Sequence, residues 1–277
     1  MANIFISYGS NHFRNSLNRI GKEAKSTGVF DKIILYTEKD LPEYIKSSPV
    51  YKYERGGGYW IWKAYIIQHT LSLINEGDIL FYADAGCTLK KSPLWEDYFN
   101  LLNKHNAVYF QYKNIDYGWS RFSKYDNPQL KHWIKGSAIK HLNNYFTDQS
   151  WLDYNKIMAG VLFLKKNNLK SRIIDEWFSL IISNPYLLVD SNQDNEIETN
   201  KLLNEHRHDQ ALLTAMVYLY KEIDNALIMP ESFEMNAIGP IVTSRINDSH
   251  RLNSRYNRFK KKVTFNFRRL KSFLNFY

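Results

Sequence analysis

The sequence has little cysteine and proline and no long hydrophobic run. Its 277 residues include one cysteine, Cys87, which excludes an intramolecular disulfide and a cysteine-rich zinc site. No stretch approaches the ~18 to 20 apolar residues that a membrane span needs. With 44% hydrophobic residues, 12 glycines and 7 prolines, the composition is that of a globular chain and not of a disordered one.

The N-terminal sequence also lacks the pattern of a secretory signal peptide. The N-terminal stretch MANIFISYGSNHFRN has no basic segment followed by an apolar run and a small-residue cleavage site, so we expect no signal peptide. A single cysteine fits a reducing compartment. We therefore expect the protein to be cytoplasmic.

Acidic residues are absent from a basic C-terminal stretch. Residues 251–271 hold nine lysines and arginines, as many positive charges as the net +9 of the whole chain. Because phenylalanine, valine and leucine alternate with these charges, we treat residues 246–277 as an amphipathic tail on an anionic membrane, separate from a catalytic domain of residues 1–245. A solvated terminal helix and a nucleic-acid-binding arm are the alternatives.

The N-terminal part of the sequence has the pattern of a strand, a helix and a second strand. Asn3–Ser7 and Lys32–Thr37 are short apolar runs, and Phe13–Thr27 between them has apolar residues at helical spacing before Gly28. This pattern predicts a βαβ unit with parallel strands, and hence an α/β fold.

The central feature is a buried strand that ends at a carboxylate. Ile79–Tyr82 is an apolar run typical of a strand covered on both faces, and Asp84 follows where the strand should end. In an open α/β sheet ligands bind outside the carboxyl ends of strands, so Asp84 can meet a metal or a charged substrate there. Taken alone, Asp84 with Ala85 and Gly86 is also consistent with a simple turn.

Three glycines precede a predicted helix over Tyr59–Ile74. The amide groups at that helix start could receive a phosphate, with Arg55 and Lys63 supplying positive charge. An ordinary loop followed by a core helix is the alternative, because Gly56–Gly58 match no nucleotide-binding fingerprint.

The remaining pattern completes an alternating α/β chain. Asp116–Asp153 is a long segment rich in aromatic and polar residues, which is uncommon unless it binds something or carries short helices. Asp190–Asn200 is polar, and we expect it to be mobile. The predicted strands are Ala107–Gln111 and Met158–Leu164, and the predicted helices are Leu94–Lys104, Leu169–Ile182 and His208–Tyr220.

In order and spacing, these pieces resemble a GT-A glycosyltransferase of the retaining bacterial galactosyltransferase and glycogenin-like type. The matching parts are the first βαβ unit, the strand ending at Asp84, Pro93-Leu94-Trp95, the strand motif Ala159–Phe163 and Asp209-Gln210 at a helix start. The resemblance covers roughly residues 3–220. It implies a GT-A fold, with a mixed, mainly parallel sheet flanked by helices.

The resemblance also implies a divalent cation. In that family the strand ends in Asp-X-Asp, whose carboxylates hold a metal against the diphosphate of a nucleotide sugar. This chain departs from the pattern, because either Tyr82 stands in place of the first aspartate or Gly86 stands in place of the second. Asp84, the diphosphate, water and one more ligand could still hold Mn²⁺ or Mg²⁺, and His250 is the candidate for that ligand. A surface histidine is the alternative for His250.

Further site residues follow from the same resemblance. It implies that Ser7 and Tyr8 cradle the base and ribose and that Tyr82, Ala83 and Asp84 lie along the nucleotide. Asp209 and Gln210 would lie beneath the transferred sugar as the catalytic pair. Asp209 could instead only cap its helix. An inverting enzyme would need a carboxylate base, for which Asp148, Asp153 or Asp209 could serve.

The sequence thus predicts a metal-dependent transferase that moves galactose or glucose from a UDP-sugar to a glycan acceptor. Retention of the anomeric configuration, bacterial surface polysaccharide assembly and peripheral contact with the inner face of the cell membrane are part of this expectation. A non-catalytic nucleotide- or glycan-binding module is the alternative, and nucleic acid is not expected as a partner.

Overall fold

A computed structural model describes residues 1–114, 127–167, 171–234 and 239–246. Its main sheet has six strands, and a second, two-stranded sheet pairs β4 with β8. The strands are β1 Asn3–Tyr8, β2 Lys32–Tyr36, β3 Ile79–Ala83, β4 Thr88–Leu89, β5 Ala107–Gln111, β6 Val161–Lys165, β7 Ala226–Pro230 and β8 Ile241–Val242.

The main sheet is mixed and mainly parallel. Its strand order is β2-β1-β3-β6-β5-β7, and only β6 runs against its neighbours β3 and β5. The carboxyl ends of β1, β3, β5 and β7 therefore meet at one edge, together with the start of β6. This confirms the predicted α/β fold class, a mainly parallel sheet flanked by helices.

Helices cover both faces of the sheet, which explains why β3 is apolar along its whole length. Leu80 and Tyr82 pack into one core, whereas Ile79 and Phe81 pack into the other. The helices Ile61–Leu73, Arg172–Ser183 and His208–Tyr220 contribute to the first core, and Arg14–Thr27 and Leu94–Leu101 to the second. Shorter helices are Glu43–Lys46 and Gly136–Leu142, with 3₁₀ turns at Asn11–Phe13, Glu38–Asp40, Leu130–His132, Ser150–Asp153, Pro185–Leu188 and Ser191–Gln193. Among the described residues, none of the helices has the length and hydrophobicity to cross a bilayer.

The helix predicted from Tyr59 begins at Ile61, because a left-handed turn precedes it. All five residues of Gly56–Trp60 have positive φ, between 51° and 86°. Glycine adopts this conformation at little cost, whereas Tyr59 and Trp60 each incur about 1–2 kcal/mol. A right-handed helix can start only after this turn, which places Arg55 at its entrance and Lys63 in the first turn of the helix.

The segment Asp190–Asn200, predicted to be mobile, is held by a buried ion pair. The Nζ of Lys135 lies 2.5 Å from Asp194 and donates to the carbonyl of Tyr186 at 2.6 Å. Glu198 accepts the amide of Gly136 at 2.7 Å. These contacts anchor the segment, which its polar composition alone does not reveal, and its mobility stays a prediction.

Several predictions concern residues outside the described part. All of the amphipathic tail 246–277 except its first residue lies outside, including the candidate metal ligand His250. Part of the aromatic segment Asp116–Asp153 also lies outside. The division into residues 1–245 and 246–277 stays a prediction.

Candidate active site

A cavity of about 450 Å³ opens at the sheet edge where the carboxyl ends of the parallel strands meet. Six of the predicted site residues line it: Tyr8, Arg55, Lys63, Asp84, Asp209 and Gln210. Ser7, Tyr82 and Ala83 are fully buried in the sheet behind it, and the alternative bases Asp148 and Asp153 do not line it. The sheet topology therefore brings residues from widely separated parts of the chain into one site.

Asp84 leaves the end of β3 and projects into the cavity with 40% of its side chain exposed. Its backbone amide donates to the carbonyl of Gly160 at 3.0 Å, and the buried hydroxyl of Tyr82 donates to its Oδ1. Burial, and then the Asp84 carboxylate, raise the pKa of Tyr82 well above its usual value, so this phenol remains a neutral donor. A Cβ at Gly160 would lie 2.8 Å from Asp84 Oδ2, which explains the glycine there.

Lys63 joins the two aspartates that the sequence analysis identified separately. Its Nζ lies 2.9 Å from Asp209 Oδ2 and 3.2 Å from Asp84 Oδ1, and only 3% of its side chain is exposed. Burial alone would lower the pKa of Lys63, but the two carboxylates raise it. Burial raises the pKa of Asp209 against the opposing charge of Lys63. Lys63 therefore fixes both carboxylates, a role different from the phosphate contact predicted from its place near a helix start.

Asp209 and Gln210 are held rigidly at the start of the helix His208–Tyr220. Gln210 Nε2 donates to the carbonyl of Ile157 at 2.7 Å, and one turn later Thr214 Oγ1 accepts the amide of Ile157 at 2.9 Å. The indole of Trp177 donates to the backbone carbonyl of Asp209 at 3.2 Å. These bonds fix the pair next to the entry of β6.

The β1 side of the cavity is aromatic. The rings of Tyr8 and Trp62 stack with centroids 3.9 Å apart, and both residues line the cavity. Ser7 points elsewhere, since its hydroxyl donates to the carbonyl of Ala83 at 2.7 Å in the sheet interior. Of the predicted base-contacting pair, only Tyr8 is therefore in reach of a ligand in this cavity.

Arg55 lies at the rim but is bound to two carboxylates. Its guanidinium contacts both oxygens of Asp190 at 2.9 and 3.1 Å and Glu205 at 2.7 Å. The hydroxyl of Tyr59 donates to the same Asp190 at 2.9 Å. Arg55 thus anchors the left-handed turn to Asp190, and its predicted phosphate contact stays a prediction.

His208 was missed by sequence reasoning, although it directly precedes Asp209. It lines the cavity, stacks on Trp60 with ring centroids 5.3 Å apart, and places Nδ1 2.6 Å from the carbonyl of Leu188. Burial lowers its pKa to about 4, so the imidazole is neutral at neutral pH. Because a carbonyl only accepts, the single ring proton lies on Nδ1 and forms the hydrogen bond to Leu188. Its φ of 47° is left-handed, as are those of Tyr59 and Trp60. Clustering of backbone strain beside a cavity is typical of functional sites.

A second group that sequence reasoning missed lines the β5 and β7 side. Arg207, Arg245, Glu234 and Tyr112 all lie there, and Arg245 contacts Glu234 at 2.7 Å. No pattern in the sequence pointed to these residues, because they come from four segments that only the fold brings together.

Of the two predicted metal ligands, Asp84 is described and His250 lies outside the described residues. Among the described residues no cluster of three metal-ligating side chains occurs, and one oxygen of Asp84 is already engaged by Tyr82 and Lys63. Asp84 is nevertheless an exposed carboxylate of the kind that Mg²⁺ and Mn²⁺ accept. It fits the role of a single protein ligand to a cation that takes its other ligands from a bound diphosphate and water.

Comparisons with known proteins give likenesses of structure only. No family model matches the chain, and no curated protein matches it. A glycosyltransferase involved in glycosylation of the major capsid of PBCV-1 has 14% identity and a TM-score of 0.42, covering 83% of this chain and 82% of that one. The galactosyltransferase LgtC, in complex with donor and acceptor sugar analogues, has 10% identity, a TM-score of 0.40 and coverages of 81% and 72%.

Mouse xyloside xylosyltransferase 1 has 11% identity and a TM-score of 0.41, covering 82% of this chain and 84% of that one. At such identities and TM-scores these likenesses carry no argument about the fold, activity or ligands of this chain.

Proposed function

We propose that this protein is a glycosyltransferase that moves a hexose, galactose or glucose, from a UDP-sugar to a glycan acceptor. The observation that carries the proposal is the cluster of Asp84, Lys63 and Asp209, with Gln210 beside it, in one cavity at the carboxyl ends of the strands. Such a cluster lies where α/β sheets bind their ligands. Lys63 lies between the two carboxylates and bonds to both in a confined space.

The donor nucleotide would occupy the β1 side of the cavity. Tyr8 and Trp62 form an aromatic wall there, and flat rings of this kind suit a pyrimidine base. Asp84 lies at the end of the next strand, β3, so a diphosphate that leaves the base region passes it. This order supports the assignment of Tyr8 to the base and of Asp84 to the diphosphate.

A divalent cation, when bound, would neutralise the diphosphate as it leaves the sugar. Among the described residues, Asp84 would be the protein ligand to that cation. His250 remains the predicted second protein ligand. The two cations on this side, Arg55 and Lys63, are each bonded to two carboxylates, and this charge balance leaves no surplus positive charge for a diphosphate. That balance supports the use of a cation there.

The reacting sugar would lie over Asp209 and Gln210. Asp209, held by Lys63, would accept a hydrogen bond from a sugar or acceptor hydroxyl, and Gln210 would face the anomeric carbon. The fixed positions of both side chains favour orientation over large movement. Retention is proposed, with the departing phosphate taking the proton of the incoming hydroxyl.

The basic tail suggests where this reaction takes place. We propose that residues 246–277 bind the inner face of a bacterial cell membrane and bring the site to a lipid-linked acceptor of surface polysaccharide assembly. The support is the sequence alone, with nine positive charges alternating with apolar residues over 251–271.

Slow hydrolysis of UDP-galactose or UDP-glucose without acceptor tests the proposal. The wild-type protein should release UDP, and the Asp84→Asn and Asp209→Asn variants should lose this activity while remaining folded. Asp97→Asn, an exposed aspartate on the helix Leu94–Leu101, is the matched control and should behave as wild type. Binding of UDP with neither hydrolysis nor transfer would instead identify a non-catalytic binding module.

A further inference from the structure

The two oxygens of the Asp84 carboxylate have different surroundings. Oδ1 accepts a hydrogen bond from the hydroxyl of Tyr82 and lies 3.2 Å from the Nζ of Lys63. Oδ2 accepts no hydrogen bond from any other described residue. The side chain lines the cavity and is 40% exposed, so Oδ2 is the oxygen that is left for a ligand.

Both partners of Oδ1 are buried and held in place. Tyr82 belongs to β3 and is fully buried, with its ring packed in the core. Lys63 is 3% exposed and is held from its other side by Asp209 at 2.9 Å. Each oxygen of an ionised carboxylate has about two lone-pair directions, so these two donors occupy Oδ1. A cation that bound Oδ1 would have to displace one of them.

The chain leaves space beside Oδ2 instead. The amide of Asp84 donates to the carbonyl of Gly160 at 3.0 Å, which brings the backbone before β6 close to the carboxylate. A Cβ at Gly160 would lie 2.8 Å from Oδ2 and 3.4 Å from Cγ of Asp84. Any larger residue would crowd this oxygen, and glycine keeps it accessible.

We propose that Tyr82 is a positioning residue for the cation of the donor complex, because it holds Asp84 so that Oδ2 alone binds the metal. This rests on the proposed function, in which the cation is the partner of a sugar-nucleotide diphosphate. A single carboxylate oxygen is a weak metal site, and the described residues contain no group of three metal-ligating side chains. A Mg²⁺ ion held in this way takes its other ligands from phosphate and water. The cation therefore binds together with UDP and not to the free protein.

The same arrangement predicts which cations the site accepts. Mg²⁺ binds through single carboxylate oxygens in octahedral geometry, and Mn²⁺ shares its preference for oxygen ligands. Ca²⁺ takes more oxygen ligands and often binds both oxygens of one carboxylate. Because Oδ1 of Asp84 is occupied, Ca²⁺ should be the poorer partner of UDP here. Removal of the Tyr82 hydroxyl should reduce that difference.

The test measures binding of UDP to the full-length protein by calorimetry with Mn²⁺, with Ca²⁺ and with a chelator. Wild type should bind UDP·Mn²⁺ about tenfold tighter than UDP·Ca²⁺. Tyr82→Phe removes the hydroxyl and keeps the ring in the core. It should weaken UDP·Mn²⁺ binding about fivefold, as expected for the loss of one hydrogen bond to a charged group, and narrow the Mn²⁺ to Ca²⁺ affinity ratio by the same factor. Binding of UDP without metal should not change.

Tyr36→Phe is the matched control. The buried hydroxyl of Tyr36 bonds Thr70 Oγ1 at 2.9 Å, and neither residue lines the cavity. This substitution therefore also removes one buried phenol hydrogen bond, but it should keep the wild-type affinity and ratio. Unchanged Mn²⁺ affinity and ratio in Tyr82→Phe, or equal losses in both variants, would overturn the proposal.

A second measurement needs no variant. Free Mn²⁺ has a sharp electron paramagnetic resonance spectrum, which weakens when a protein binds the ion. The wild-type protein should leave this spectrum unchanged until UDP is added, and should then weaken it more than UDP alone does. Binding of Mn²⁺ to the UDP-free protein with a Kd below about 0.1 mM would overturn the proposal.

The outcomes keep this inference apart from the proposed function. If wild type binds UDP·Mn²⁺ and Tyr82→Phe binds it equally well, only the role of Tyr82 fails. If wild type binds UDP neither with nor without a cation, the donor assignment fails, and the role of Tyr82 fails with it.

Discussion

Replacement of Lys63 by methionine tests how the two aspartates of the site are held. Methionine keeps the length of the buried stem and removes the ammonium group. The pair with Asp209 is buried on both sides, at 3% and 7% exposure, and its 2.9 Å separation corresponds to about 6 kcal/mol of attraction at an effective dielectric of about 20. Desolvation cancels part of this, so loss of the cation should cost about 3 kcal/mol. The pair with Asp84, whose side chain is 40% exposed, should contribute under about 1 kcal/mol.

Two double variants separate the contribution of the Lys63–Asp209 pair from that of the Lys63–Asp84 pair. Lys63→Met with Asp209→Asn removes the carboxylate left unpaired by the first change, and it should recover most of the lost stability. Lys63→Met with Asp84→Asn should recover little. Urea unfolding at pH 7 measures all four proteins, and the midpoints give the free-energy differences provided that the slopes agree.

The stability of the Lys63→Met variant should also depend on pH in a characteristic way. Without Lys63, burial raises the pKa of Asp209 further, so the folded state holds a proton that the unfolded state has released. A raised folded-state pKa stabilises the protein at low pH, and the deficit of Lys63→Met should therefore shrink as the pH falls from 7 to 5. A deficit below about 1 kcal/mol at pH 7, or equal recovery in both double variants, would refute this account of the cluster.

Three further predictions follow from named contacts. Burial lowers the pKa of His208 to about 4, so the unfolded chain takes up its proton first, and His208 should account for about 3 kcal/mol of stability lost between pH 6.5 and 4. In urea titrations His208→Asn should reduce the loss by that amount, and the buried His206, whose pKa is also lowered by burial, should account for a remaining part. Gly160→Ala would place a methyl group 2.8 Å from Asp84 Oδ2, and we expect weaker UDP·Mn²⁺ binding in calorimetry with an unchanged melting temperature. Lys135→Met should cost about 3 kcal/mol and expose Asp190–Asn200 to limited proteolysis, whereas equal cleavage of both proteins would contradict the observed anchoring by Asp194.

Periodicity and strand composition predicted five of the six strands of the main sheet, β1, β2, β3, β5 and β6. The strands at Asn3, Lys32, Ile79 and Ala107 all start where the apolar runs start, because a strand covered on both faces leaves an uninterrupted hydrophobic pattern. The position of Asp84 at the end of β3 followed from the same pattern. The short strands β4 and β8 were missed, since two-residue strands carry no period. The edge strand β7, Ala226–Pro230, was also missed, and its residues are only partly buried.

The details of the site depended on contacts that no local pattern encodes. The sequence around Gly56–Trp60 predicts a loop followed by a helix. It does not predict five consecutive left-handed residues, because tyrosine and tryptophan rarely adopt that backbone conformation. The position of Lys63 between Asp84 and Asp209 depends on three segments meeting in space. Ser7 was assigned to the ligand on its place at a strand end, yet strand alternation directs its hydroxyl into the sheet.

The most direct test of the central claim is calorimetric titration of UDP with Mn²⁺ into the wild-type protein and Asp84→Asn, with Asp97→Asn as the control. If Asp84 holds the cation that neutralises the diphosphate, the asparagine variant should bind UDP·Mn²⁺ about tenfold or more weakly, while UDP without metal binds both proteins alike. Equal affinity of wild type and Asp84→Asn for UDP·Mn²⁺ would contradict the account.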